Sequence, residues 1–66
     1  MKTTFYFISW KDQGNPRKIT RKTAMELFGT ERFKNVMKDA KETYSEDPCI
    51  SIEYMVANGR IQIEFS

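Results

Sequence analysis

Two alternating segments at the C-terminal end of the chain constrain the fold more than any other feature of the sequence. In CISIEYMVANGRIQIEFS, residues 49–66, Asn58-Gly59 separates two runs in which apolar and polar residues alternate. Asn-Gly between such runs is typical of a β-hairpin with a two-residue type I′ turn. That turn predicts three cross-strand pairs, all on one apolar face: Val56 with Ile61, Tyr54 with Ile63, and Ile52 with Phe65. The register is therefore specified by the need to bury this face.

A second strand is predicted near the N-terminus. Residues 3–10, TTFYFISW, are rich in aromatic and β-branched side chains, which favour β-structure. The segment is apolar on both faces, and its side chains divide into a pair and a triplet: Phe5 and Phe7; Tyr6, Ile8 and Trp10. A strand of this kind is covered on both faces or lies in the centre of its sheet.

A loop and a first helix follow. Residues 11–18, KDQGNPRK, contain the glycine and proline that are typical of a loop. Thr20 is a suitable N-cap for a helix, and Thr23 with Glu26 offers an alternative start through a capping box. Gly29 provides the residue at which this helix ends.

A second helix is predicted from a Thr30 cap to about residue 44 or 45, where Asp47-Pro48 breaks the chain. Its apolar side chains recur at the spacing of one helical stripe: Phe33, Val36, Met37, Ala40 and Tyr44. The predicted order is thus β-α-α-β-β in a single domain spanning residues 1–66. The expected fold is α+β, with a small three-stranded sheet that includes the C-terminal hairpin and with both helices packed on one face.

Composition argues against most enzymes. The chain of 66 residues has no histidine, and Cys49 is its single cysteine. These residues cannot form an ordinary zinc site, a Cys–His catalytic pair or an internal disulfide. No segment has the 18 or more apolar residues of a membrane span. We therefore expect a cytoplasmic protein that is not an enzyme, with no cofactor, no metal and no small-molecule substrate. Cys49 itself is either a small buried apolar residue or a reactive thiol.

A basic segment precedes the first helix. Arg17, Lys18, Arg21 and Lys22 stand at its predicted start with no acidic residue among them. Cations in the first turn oppose the helix dipole by about 0.3–1 kcal/mol each. A bound anion such as phosphate would explain them, since backbone N–H groups and basic side chains together form a phosphate site. The alternative is a solvated loop whose long side chains reach water.

The same segment resembles a known DNA-binding motif. ITRKTAMELFG, residues 19–29, resembles the opening of an excisionase- or MerR-type winged helix-turn-helix, and the resemblance extends over residues 19–33. It implies that the second helix enters the DNA major groove and that the hairpin acts as a wing with its tip at residues 58–60. The DNA contacts that the resemblance implies come from four residues of the second helix: Arg32, Lys34, Asn35 and Lys38.

The sheet offers a second candidate surface. If helices cover one face, one set of the aromatic residues of the first strand is left partly exposed beside Met55. Phe5, Phe7 and Met55 form one candidate interface, and Tyr6 with Trp10 is the alternative exposed set. Such aromatics are core residues, a protein interface or a platform for single-stranded bases.

Two carboxylates complete the candidates. Under the predicted register, Glu53 and Glu64 lie directly opposite each other, where they either share a proton, hold a hard cation or are simply solvated.

Two functions agree with these features. The first is a small non-enzymatic binding protein of a bacterium, phage or mobile element, with DNA or RNA as its partner. The second is a protein-interaction module, either a homodimer or a small regulator that docks on a larger protein.

Overall fold

A computed structural model describes residues 2–12, 14–48 and 51–66 of the chain. Strands β1 (Thr3–Ser9) and β2 (Arg17–Ile19) come first, followed by helices α1 (Arg21–Phe28) and α2 (Thr30–Glu46). Strands β3 (Ser51–Val56) and β4 (Gly59–Phe65) complete the fold. The class is α+β, as predicted. Cys49 lies outside the described residues.

The sheet has four antiparallel strands in the order β2-β1-β4-β3, where three had been predicted. The additional strand is β2, which lies in the segment that had been predicted as loop and pairs Phe5 with Ile19 and Phe7 with Arg17. Its pairing makes β1 an inner strand and gives partners to backbone N–H and C=O groups of β1 that β4 does not reach. β4 satisfies one row and β2 part of the other.

One face of the sheet and both helices form the core. The sheet residues buried in this core are Phe5, Ile61, Ile63 and Phe65. Ile8 and Gly59 are also buried but do not belong to this cluster. The helices contribute four of the five residues of the predicted apolar stripe of α2 and two residues of α1: Phe33, Val36, Met37 and Ala40; Ala24 and Phe28. The fifth, Tyr44, is partly buried and packs against the core. Phe33 is central, because its ring centroid lies 6.0 Å from that of Phe5 and 6.3 Å from that of Phe28. The packing of both helices on one face of the sheet is thereby confirmed.

The hairpin forms, but its register differs by two residues from the prediction. Val56 pairs with Gly59, Tyr54 with Ile61, and Ile52 with Ile63. Ala57 and Asn58 therefore form the turn, and no non-glycine residue in the described part of the chain has a positive φ. A type I′ turn requires a positive φ at both central positions, so the predicted turn type was wrong. Because the difference is an even number of residues, the apolar face is unchanged.

Close packing against β1 explains why Gly59 is a glycine. A Cβ atom at this position would lie 2.2 Å from the carbonyl oxygen of Ile8. The backbone N–H of Trp10 also donates to the carbonyl of Asn58, at 3.2 Å. The turn is thus seated against the end of β1, and this contact selects the register.

The structure confirms one of the two N-caps predicted from the sequence. Thr20 is the N-cap of α1, and its hydroxyl accepts a hydrogen bond from the N–H of Thr23 at 3.1 Å. Thr30 had been predicted to cap α2, but it is the first helical residue, and the N-cap is Gly29, with φ of +87°. Only glycine adopts such a φ readily, which allows one residue to end α1 and begin α2.

Candidate functional site

The four cations before and within α1 are divided between two elements. Arg17 and Lys18 belong to β2, where consecutive side chains point to opposite faces of the sheet. Arg21 and Lys22 are the first two residues of α1. All four are exposed. The expectation that all four surround the start of a helix is therefore wrong for Arg17 and Lys18, because residues 17–19 pair with β1.

Three cations nevertheless line one surface depression, of about 270 Å³, at the edge of the sheet. They are Lys2, Lys18 and Arg21, and the cap residue Thr20 lines the depression with them. We call this set of four residues the basic corner. The remaining described residues that line it are Thr3, Thr4, Phe5 and Ile19, so none of the lining residues is acidic. Lys2 was not predicted, because only the pairing of β1 with β2 brings it beside residues 18–21.

Arg17 lies elsewhere. It lines a separate depression together with Phe7, Ser9, Asp12 and Asn15. Asp12 accepts two hydrogen bonds there from the side-chain amide of Asn15, at 2.9 and 3.0 Å. Arg17 thus shares its depression with a carboxylate, whereas the basic corner has none among its described lining residues.

Aromatic rings hold two of the predicted arginines. The guanidinium carbon of Arg21 lies 5.3 Å from the centroid of the Phe33 ring, and that of Arg32 lies 5.3 Å from Phe28. Such cation–π contacts contribute about 0.5–1 kcal/mol at exposed sites. For Arg21 this contact offsets the unfavourable position of a cation in the first turn of α1, a turn in which no residue is acidic.

The cations of α2 are not part of the basic corner. Lys34 and Lys38 are exposed on α2, and neither lines the depression at the corner.

Asp39 accepts a hydrogen bond of 2.6 Å from the hydroxyl of Tyr54 on β3. Burial first, and then the Asp39 carboxylate, raise the pKa of Tyr54 well above its usual range.

The hairpin tip does not present a free cation. Arg60 Nε lies 3.0 Å from Glu53 Oε2, in an ion pair whose angles fall outside hydrogen-bond geometry. The pair lies on the sheet face opposite to the helices, since Arg60 and Glu53 are out of phase with the buried residues of β4 and β3. Gly59 is buried. The helix-turn-helix resemblance implies a wing tip at residues 58–60. In the structure, Arg60 of this tip is paired with a carboxylate on the sheet face away from α2.

The two glutamates of the hairpin are not opposite each other. Glu53 pairs across the strands with Gln62, and Glu64 pairs with Ser51, because of the two-residue difference in register. The side-chain amide of Gln62 donates to Glu64 at 3.0 Å. Across the described residues, no group of three or more acidic or cysteine side chains is placed to hold a metal ion.

The helix-free face of the sheet, called the open face here, contains the second aromatic set. Phe5 is buried in the core and Phe7 packs against it, so these two face the helices and Phe5 is not accessible to an interface. Tyr6 and Ile8 lie on the open face, where Ile8 is only 3% exposed. Trp10 directly follows the last residue of β1, and its N–H donates to the carbonyl of Asn58. Met55, on the same face, is 67% exposed, and Trp10 is 40% exposed.

Charge is distributed unevenly along the chain and across the sheet. Residues 1–22 contain six of the 11 basic residues and one of the nine acidic residues. Because β2 and β3 are the two edges of the sheet, Arg17 and Lys18 lie at one edge and Glu53 at the other.

Comparison with models of protein families, with curated proteins and with solved structures found no match for this chain. Within the described residues, neither helix has the length and apolar character needed to cross a membrane.

Proposed function

We propose that this protein is a small non-enzymatic binding protein whose partner is a nucleic acid, bound at the basic corner. The observation that carries the proposal is the depression lined by Lys2, Lys18 and Arg21 without an acidic residue among its described lining residues. Phosphate contacts from lysine and arginine supply most of the affinity of non-specific nucleic-acid binding. A net charge of +2 is small, so the local concentration of cations, and not the total charge, supports this function.

The corner is better suited to this function than α2. In α2, two of the cations have an acidic residue next to them in sequence: Glu31 precedes Arg32, and Asp39 follows Lys38. The basic corner combines cations from three places in the chain, namely the start of β1, strand β2 and the first turn of α1. We therefore assign the principal phosphate contacts to Lys18 and Arg21.

Fluorescence anisotropy with labelled single-stranded and duplex oligonucleotides tests the proposal. The double variant Lys18→Gln/Arg21→Gln should bind about tenfold or more weakly at low salt. The slope of log K against log salt concentration should also be shallower by about 1.4–1.8. Lys34→Gln/Lys38→Gln is the matched control, because it removes the same charge from exposed positions of α2. The proposal is wrong if the wild type binds neither DNA nor RNA at low salt, or if only the α2 variant loses affinity.

A second candidate is a homodimer that forms through the open face. Lys18 and Glu53 lie at opposite ends of one cross-strand row, which also contains Tyr6 and Gln62. A twofold axis parallel to the strands would place Lys18 of each copy opposite Glu53 of the other, with the exposed Met55 near the edge of the contact. Sedimentation velocity tests this candidate: a dimer that Lys18→Glu dissociates and that Lys18→Glu/Glu53→Lys restores supports it, and a monomer at all concentrations contradicts it.

A further inference from the structure

We infer that the open face binds single-stranded nucleic acid, with the bases stacked on Tyr6 and Trp10; this inference rests on the proposed function and names its substrate class. Tyr6 lies in β1 and Trp10, four residues later, directly follows the last residue of that strand, so their backbone positions are separated by at most about 13 Å. Single-stranded nucleic acids are bound by aromatic side chains that stack on unpaired bases, next to cations that contact the backbone.

The cations are placed on the same half of the sheet as the rings. Lys18 is the direct cross-strand neighbour of Tyr6, and it also lines the basic corner. Lys11 follows Trp10 and lines a shallow depression with it at the hairpin tip. A single-stranded nucleic acid bound along β1 would thus contact an aromatic ring and a lysine at each of two positions.

The carboxylates of the open face are on its other half. Glu53 belongs to the far edge strand β3, and Glu64 belongs to β4. The first is paired with Arg60 and the second accepts a hydrogen bond from Gln62. The charge of the face therefore favours a polyanion along β1 and β2 and disfavours one along β3, which fixes the path of the bound strand.

A duplex does not satisfy this arrangement. Its bases are stacked on each other inside the helix, so Tyr6 and Trp10 would have no exposed base plane to contact. The inference therefore predicts a preference for single strands, whereas the winged helix-turn-helix resemblance implies duplex DNA.

The intrinsic fluorescence of Trp10 provides a direct test, because Trp10 is the only tryptophan in the chain. Titration of the full-length protein with oligothymidine and oligouridine should quench this fluorescence in parallel with the rise in anisotropy. Tyr6→Leu and Trp10→Leu should each weaken binding by about five- to 160-fold, the loss that follows removal of one stacking aromatic. Tyr6→Phe keeps the ring and should bind as the wild type does.

Met55→Leu is the matched control on the open face, since it changes an exposed side chain on β3, away from the proposed path, and should leave affinity unchanged. Circular dichroism melts of each variant confirm that the fold is retained. Unchanged affinity in both Tyr6→Leu and Trp10→Leu would overturn the inference. Loss of affinity in Lys18→Gln/Arg21→Gln alone would then leave the proposed function standing, whereas absence of any binding by the wild type would remove both. Tighter binding of duplex than of single strands would also overturn the inference.

Discussion

The two edge strands of the sheet differ in charge, in length and in the local signals that predict them. β2 has three residues, two of which are cations, and it follows a loop of mixed composition. β3 has six residues, alternates cleanly between apolar and polar positions and carries Glu53. One edge borders a depression lined by cations, and on the other Tyr54 is hydrogen-bonded to an acidic residue of α2.

This contrast shows how the strand order converts an asymmetry of sequence into an asymmetry of surface. The basic residues are concentrated near the N-terminus, and the acidic residues follow them. Because β1 and β4 occupy the centre, the N-terminal hairpin extends to one edge and the C-terminal hairpin to the other. A chain with a net charge of only +2 thereby acquires a basic edge.

The largest expected effect concerns the contact that seats the C-terminal hairpin on β1. Gly59→Ala places a Cβ 2.2 Å from the carbonyl oxygen of Ile8, and neither backbone can move without breaking strand pairs. We expect a loss of about 3 kcal/mol in the free energy of unfolding, measured by urea denaturation. Gly14→Ala, in the N-terminal hairpin, meets no atom within 4 Å and should change stability by less than about 0.5 kcal/mol. Equal losses in the two variants would contradict the seating contact.

The next effect tests the β3 edge through the hydrogen bond between Tyr54 and Asp39 of α2. Tyr54→Phe removes the hydrogen bond to the Asp39 carboxylate and should cost about 1 kcal/mol. The pKa of Tyr54 is raised in the folded state. The contribution of Tyr54 to the free energy of unfolding is therefore complete below its pKa in the unfolded state, about 10, and is lost as the pH rises above that value. The stability difference between wild type and variant should therefore narrow at alkaline pH. Additive effects in a double-mutant cycle with Asp39→Asn would show that the two side chains do not interact.

A smaller effect tests how α1 begins beside the basic edge. Thr20→Ala removes the hydroxyl that accepts from the N–H of Thr23 and should cost about 1 kcal/mol. Thr30→Ala is the matched control, because the N-cap of α2 makes no side-chain hydrogen bond. Thermal melts of the two variants should differ accordingly, and a greater loss for Thr30→Ala would restore the cap predicted from the sequence.

The smallest effect has the opposite sign and concerns Lys22. Lys22→Glu replaces a cation in the first turn of α1 by an anion, which the helix dipole favours by about 0.3–1 kcal/mol. The variant should be slightly more stable than the wild type and should bind nucleic acid more weakly. Lys41→Glu changes the charge equally at an exposed position inside α2 and should not gain stability. A Lys22→Glu variant that is no more stable and binds as tightly as the wild type would show that this cation serves neither role.

Local patterns were sufficient for most of the fold. Both helices, the first strand and the apolar face of the hairpin follow from periodicity and from the residues Thr20, Gly29 and Asp47-Pro48. The core stripe of α2 was predicted residue by residue. These features depend on neighbours in sequence, so the sequence displays them directly.

Features that depend on distant contacts could not be predicted. Residues 17–19 carry too short a pattern to indicate a strand, and they become one by pairing with β1. The Asn58-Gly59 pair indicated a turn, but contact with Ile8 moved that turn by one residue in the chain. Lys2 lies beside Lys18 and Arg21 only because β1 pairs with β2. This is why the candidate site was predicted only in part.

Chemical-shift mapping by NMR locates the nucleic-acid-binding surface residue by residue. In ¹H–¹⁵N spectra of the wild type titrated with oligothymidine, we expect the perturbed amides to be those of β1, β2 and the first turn of α1, including Tyr6, Lys18 and Arg21. The amides of β3 and of the second half of α2 should stay unchanged. Perturbations concentrated at Arg32, Lys34 and Lys38, or the absence of any perturbation at low salt, would show that nucleic acid is not bound at the basic corner and the open face.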